Sequence, residues 1–187
     1  MQSHLEHFQN LTQALMDLPA VGKKSARNLA FHMVTTDTFG ALKLAHAIEQ
    51  AVRSVQRCRR CGNLSEHELC DVCADDERER GKLCLVFSPK DIFTLEESGF
   101  YRGLYFVCGD EIRFDALEEM VKGGIEEVIF AFPPSIQNDA LIYFIEERLS
   151  PFGLSFSKIA QGIPTGVSLE NVDMLSLARA LEGRVKV

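Results

Sequence analysis

The sequence predicts an α+β chain of three parts: an all-helical N-terminal domain, a four-cysteine metal-binding segment and a C-terminal α/β domain on a mostly parallel sheet. Three observations carry this. Up to residue 57, apolar residues recur every three to four positions. Two Cys-x-x-C pairs then follow, Cys58/Cys61 and Cys70/Cys73. Beyond residue 81, short apolar runs alternate with helical patterns. With 187 residues and 46% hydrophobic content, the chain can bury real cores. No apolar run reaches membrane-spanning length, and the N-terminal MQSHLEHFQN has no signal-peptide pattern. A soluble, cytoplasmic protein is expected, with Cys84 and Cys108 as core thiols.

The first helix is expected over residues 3–16, with Leu5, Phe8, Leu11, Leu15 and Met16 on one face. Pro19 and Gly22 break it. A second helix starts near Lys23 and turns Ala26, Leu29, Ala30 and Met33 to one side. After a break at residues 35–40, a third runs over 41–57 with Leu42, Ala45, Ile48, Val52 and Val55 inward. The stretch LPAVGKKSA at residues 18–26 resembles a helix-hairpin-helix. A short hairpin before a helix aims unpaired backbone N–H groups outward, and with the helix dipole these suit a phosphate without reading bases. Gly22 allows close approach, and Lys23, Lys24 and Arg27 add charge, so these four are the candidate DNA-binding residues. The competing reading is a helix-turn-helix corner with solvated charges.

In CRRCGNLSEHELCDVC, each two-residue spacer forms a knuckle that can present two thiolates to one metal. Cys58, Cys61, Cys70 and Cys73 suit one structural tetrahedral Zn²⁺ at about 2.3 Å per ligand, with no position left for catalysis. Two disulfides or buried thiols are the alternative, disfavoured because nothing marks the chain as secreted. Gly62 is expected to need a positive φ, and His67 to be an exposed loop residue. The charged run over residues 74–82 reads as a helix-like, solvated connector.

Strands are then expected at 83–87, 103–108, 127–132 and 154–160, with helices at 91–98, 114–122, 138–150 and 172–181. Their near-continuous apolar character fits a parallel sheet buried on both faces. Charge is uneven within the net −7. Residues 1–60 hold eight Lys/Arg against four Asp/Glu, whereas the remainder holds 12 against 23. This suggests one basic face for an anionic polymer and an acidic part with another role.

Taken in this order, the parts resemble the RecR family of bacterial recombination mediators over nearly the whole length. The most specific pieces are residues 18–33 (LPAVGKKSARNLAFHM), the cysteine cluster, 83–91 (LCLVFSPKD), 101–109 (YRGLYFVCG) and 177–184 (LARALEGR). The resemblance implies a helix-hairpin-helix DNA-binding domain at 1–57, a four-cysteine zinc segment at 58–73, a Toprim domain at 81–175 and an oligomerisation tail at 176–187. It implies a non-catalytic mediator of DNA repair, acting as a clamp-like homo-oligomer (tetramer or dimer). Its partners would be DNA and RecO-like and RecF-like proteins, and it would help load RecA on single-stranded DNA at gaps. The family pattern has Gly where this chain has Ala20, so an altered hairpin or a weaker phosphate contact is expected.

Toprim enzymes hold Mg²⁺ with a strand-end Glu and a later Asp-x-Asp, because hard carboxylate oxygens suit that ion. Here the resemblance puts Phe87 at the first position, and Gln137 and Asn138 in the later loop, where Asp139 alone remains. Asp139 reads as a helix cap or a metal ligand, and Asp91, Asp110 and Glu111 as loop acids or caps. One carboxylate does not build a two-metal site, so a non-catalytic clamp is favoured. The alternatives are a Mg²⁺-dependent Toprim nuclease or strand-passing enzyme, and a zinc-ribbon adaptor without DNA contact.

Overall fold

A computed structural model describes residues 5–160, 162–163 and 166–183. Two compact units divide the chain, Met1–Val55 and Gln56–Val187. Residues 3–4 of the expected first helix, and residues 184–187 of the expected tail, lie outside the described residues.

The first unit is three helices, α1 (Glu6–Met16), α2 (Lys23–Thr35) and α3 (Thr38–Ser54). Ala26 and Ala30 of α2 are fully buried, while Phe8, Leu11, Leu15 and Met16 of α1 are half-buried. Asp37 starts α3 three residues before the expected position, its carboxylate accepting from Gly40 N at 2.8 Å. The expected inward face of α3 is corrected. Leu42 is 72% and Val52 78% exposed, and Ile48 and Val55 are exposed too. Periodicity identifies an apolar stripe; it does not say which surface covers it.

The second unit opens with a two-stranded antiparallel ribbon, β1 (Gln56–Arg57) and β2 (Leu64–Ser65), followed by a short helix, α4 (Asp71–Ala74). A four-stranded parallel sheet follows, in the order β4-β3-β5-β6. Its strands are β3 (Glu79–Val86), β4 (Gly103–Val107), β5 (Glu127–Phe130) and β6 (Ser155–Lys158). The crossovers carry α5 (Pro89–Ser98), α6 (Phe114–Lys122) and α7 (Ile136–Leu149), and α8 (Met174–Glu182) ends the described chain. The strand alternation sorts the core. Leu83, Leu85, Leu104 and Phe106 face one side with α6 and α7 residues, and Cys84, Val86, Tyr105 and Val107 face the other with Ile92 of α5. Burial pushes the Cys84 and Cys108 thiols up to about 12, as inert core groups.

The charged run at residues 74–82 is also corrected. It holds no helix beyond the end of α4, and from Glu79 it is the first half of β3. Nor is it simply solvated: the Arg78 side chain is only 8% exposed. Its guanidinium donates to both Glu96 carboxylate oxygens, at 2.9 and 2.7 Å, and to Gly103 O at 2.7 Å. Tyr105 Oη donates to Glu96 Oε1 at 2.7 Å. A spacing-based reading treats an acidic-basic run as solvent-facing, and this fork-to-carboxylate geometry has no local signature.

Burial alone would push the Glu96 carboxyl up, but the hydrogen bonds from Arg78 and Tyr105 outweigh it and hold the group below its ordinary value. That contribution to stability is therefore present above the unfolded-state value of about 4.3 and lost as pH falls through the lower folded-state value. Glu96→Gln should destabilise the protein at pH 7 by about 1–3 kcal/mol. In denaturant melts the gap to wild type should narrow steadily as pH falls below the unfolded-state value of about 4.3; a gap of constant size across that fall would mean the network acts by shape alone.

Candidate metal centre and nucleic-acid face

The β1–β2 ribbon carries the first cysteine knuckle and the start of α4 carries the second. Cys58 N donates to Asn63 O at 2.7 Å and Gly62 N to Cys58 O at 3.0 Å, which closes the first knuckle. Gly62 has φ +81°, as its position requires, and a Cβ there would meet Arg113 Nη2 at 3.2 Å and Val107 Cβ at 3.3 Å. Cys70 N donates to Cys58 Sγ at 3.3 Å, and Asn63 N to Cys61 Sγ at 3.4 Å. The four sulfurs lie within 4.8 Å of one another, and all four residues are buried. Tetrahedral Zn²⁺ with thiolates at 2.3 Å places its sulfurs about 3.8 Å apart. The donor set and its spacing fit that ion, and His67 stands exposed outside the group.

Four thiols this close cannot all ionise alone. Hydrogen bonds from Cys61, Cys70 and Cys73 hold Cys58 far below the ordinary thiol range, while sharing with Cys58 pushes Cys61 and Cys73 far above it. A dication removes that conflict, because each thiolate then faces positive charge rather than its neighbours.

These cysteines belong to the same core cluster as Leu83, Leu104, Phe106 and Leu117. Val107 N donates to Cys61 O at 2.8 Å, extending the end of β4 into the knuckle. The metal segment is thus packed on the parallel sheet and shares its apolar interior.

In the first unit, α2 begins at Gly22 with no side-chain cap, and its first helical bond runs from Ala26 N to Gly22 O at 2.9 Å. The amides of the first turn are left for an external acceptor. A Cβ on Gly22 would meet nothing within 4 Å, so the approach is open. Lys23, Lys24, Arg27 and Asn28 line a depression of about 380 Å³ beside it. The structure brings together the four residues singled out in the sequence. Ala20 holds φ +64°, the left-handed conformation that a glycine adopts readily. The hairpin keeps that conformation without its glycine, at a cost in backbone strain.

In a sheet of this order, ligands bind where crossovers diverge, beyond the carboxyl ends of β3 and β5. Phe87 and Phe132 meet there edge to face, with ring centroids 5.2 Å apart. Three nearby polar side chains have other partners. Asp91 accepts from Ser88 N at 2.8 Å in a capping box, and Ser135 caps α7 through Asn138 N at 3.1 Å. Asp139 Oδ1 accepts from Lys158 Nζ at 2.7 Å. Lys158 has no local signal for this role, because 19 residues separate it from Asp139 and the contact joins β6 to the first turn of α7.

Among the described residues, no helix is long and apolar enough to cross a membrane. Three family models match the chain: the RecR helix-hairpin-helix over residues 8–52, the RecR four-cysteine zinc finger domain over 55–75 and the RecR C-terminal model over 162–185. The chain is 56% identical over 190 residues to a Recombination protein RecR of a Nitratiruptor species, covering 100% of both chains. It is 49% identical over 191 residues to a protein of that name from Campylobacter jejuni subsp. doylei, again covering 100% of both. With a third, from Helicobacter pylori, it shares 45% over 188 residues, covering 99% of this chain and 97% of the relative. The zinc-finger match and the buried sulfur cluster together support a structural zinc.

Replacing the strained alanine should be favourable. Ala20→Gly is expected to stabilise the helical unit by about 1 kcal/mol, because glycine takes a positive φ without the Cβ clash. A denaturant melt of the full chain followed by amide exchange in α1 and α2 reads this directly. No gain would show that the hairpin bears no strain at Ala20.

Proposed function

Since the chain belongs to the RecR family of recombination proteins, and so to DNA repair and recombination, we propose that it is a non-catalytic, DNA-binding mediator. It works in the cytoplasm as an oligomeric clamp with RecO-like and RecF-like partners and helps load RecA on single-stranded DNA at gaps. The observation that carries this reading is the uncapped start of α2 beside Lys23, Lys24 and Arg27. Gly22 and the first-turn amides receive a phosphate oxygen, and the three cationic side chains hold the flanking backbone charge. No base edge is involved, so binding is independent of sequence.

Cys58, Cys61, Cys70 and Cys73 hold one zinc ion, which cross-links the segment and offers no open coordination position. The crevice filled by Phe87 and Phe132, the absence of a carboxylate at Gln137 and the Asp139–Lys158 pair support a protein that performs no phosphoryl chemistry. A clamp multiplies a few weak contacts through effective concentration. The exposed apolar stripe of α3 supports a second copy as its cover. The acidic remainder of the chain, with the exposed Tyr143 and Phe144 on α7, suits basic protein partners.

Duplex binding titrated across salt, with light-scattering mass recorded in parallel, tests the reading. Lys23→Glu with Arg27→Glu should weaken binding at least about tenfold for every sequence and flatten the salt slope by about 2 for each face engaged. The mass should remain that of the wild-type oligomer. Unchanged binding by the double variant would remove the hairpin as the DNA site, and a monomeric wild type would remove the clamp.

A further inference from the structure

Another concave surface lies within the second unit, lined by none of the residues of the sheet crevice. It is a cavity of about 740 Å³ between the first cysteine knuckle and α6. Its lining combines three chemistries: the guanidinium groups of Arg59, Arg60 and Arg113, the carboxylates of Asp115 and Glu119, and apolar surface from Leu69 with Met120 behind it.

The arrangement runs along α6. Arg113 is the N-cap residue of that helix, which has no side-chain cap. Its guanidinium is held in place, donating to Arg59 O at 2.9 Å and lying 5.7 Å from the centroid of the Phe106 ring. At the other end, Arg60 Nη2 lies 3.8 Å from where a Cβ on Gly123 would stand. Asp115 and Glu119 are i,i+4 neighbours between these ends. Arg59 pairs with Glu68 at 2.9 Å. Among the described residues, Arg60 and Arg113 form no ion pair. From Arg113 to Gly123 the helix rises by about 15 Å, enough to span more than one nucleotide.

We propose that this cavity binds unpaired nucleotides of single-stranded DNA, as a contact additional to the phosphate site at the start of α2. One occupant accounts for all three lining chemistries. Arginine forks match phosphate oxygens. Leu69, backed by the buried Met120, offers apolar surface to a base face. Asp115 and Glu119 accept from exocyclic amino groups, as carboxylates do from cytosine N4. A duplex presents its amino groups only within the grooves, so the combined fit selects a base that is out of the stack. An acidic peptide would use the arginines but leave both carboxylates opposed by like charge. The inference rests on the DNA-binding reading only for the polymer's identity, since it uses none of the α2 residues.

The test uses the full chain with zinc, titrated by fluorescence anisotropy with oligo(dC), oligo(dT) and a blunt duplex. Wild type should bind oligo(dC) more tightly than oligo(dT). Arg60→Ala should weaken both single strands by about fivefold to tenfold and lower the single-strand salt slope by about 0.7, with its duplex affinity kept. Glu119→Gln should narrow the gap between oligo(dC) and oligo(dT). Lys23→Glu with Arg27→Glu gives the reverse pattern, losing duplex binding first, so failure of the α2 site and failure of the cavity are read separately. Zinc content and helicity of each variant guard against misfolding, and Arg60→Lys should restore part of the loss. Single-strand binding unchanged by Arg60→Ala would overturn the proposal. So would an oligo-glutamate peptide that binds in place of the oligonucleotide and is lost on the same substitution, which would assign the cavity to an acidic protein partner.

Discussion

Four thiolates confined within 4.8 Å are the constraint on which the second unit depends. Sulfurs at that spacing repel when ionised, so the knuckles need a cation at their centre to hold their geometry. Their backbone then does two things. It closes on itself through Cys58 and Asn63, and it reaches the sheet through the Val107 N–H to Cys61 O bond. The buried cysteines continue the face formed by Leu83, Leu85, Leu104 and Phe106, which α6 and α7 also cover. Zinc therefore contributes to a hydrophobic interior rather than to an isolated finger. Apparent binding energies of structural zinc sites, on the order of 10–16 kcal/mol, are large beside the stability of a whole domain.

The sheet end and the cavity beside the first cysteine knuckle both belong to this second unit. The parallel order puts the carboxyl ends of β3 and β5 side by side, the place where such sheets hold ligands. An aromatic pair fills it, and its polar neighbours serve as caps or an ion pair. The same knuckle that stabilises the sheet projects Arg59 and Arg60 toward α6, where Arg113 completes a cationic lining. In the helical unit, Lys23, Lys24 and Arg27 stand in the first turns of one helix, where backbone dipoles and side chains act in the same direction.

Much of this was legible in the sequence because it depends on spacing. Paired Cys-x-x-C motifs announce a tetrahedral site, Gly62 announces a positive φ, and LPAVGKK announces a hairpin before a basic helix start. β4 and the second half of β3 appear as apolar runs because both of their faces are buried, whereas β5 is buried on alternate residues and the edge strand β6 is half-exposed, so the expected burial on both faces does not extend across the whole sheet. What escaped depends on register and long-range packing. Arg78 looked like one charge in a solvated run, and its partners lie 18 and 25 residues away. Arg113 meets the knuckle across 54 residues. The apolar stripe of α3 was read correctly as a stripe and wrongly as buried, since periodicity carries no information on its partner. Ala20 shows the converse: the tertiary hairpin imposes a backbone conformation that the residue itself disfavours.

The most direct test of the zinc site as part of the sheet's core is amide hydrogen exchange on the full chain before and after chelation. Cys58 and Val107, with the amides of β3 and β4, should lose protection together as the metal leaves, while α1, α2 and α3 keep theirs. Protection in β3 and β4 that survives complete loss of zinc would contradict the account and return the cysteine segment to an independent finger.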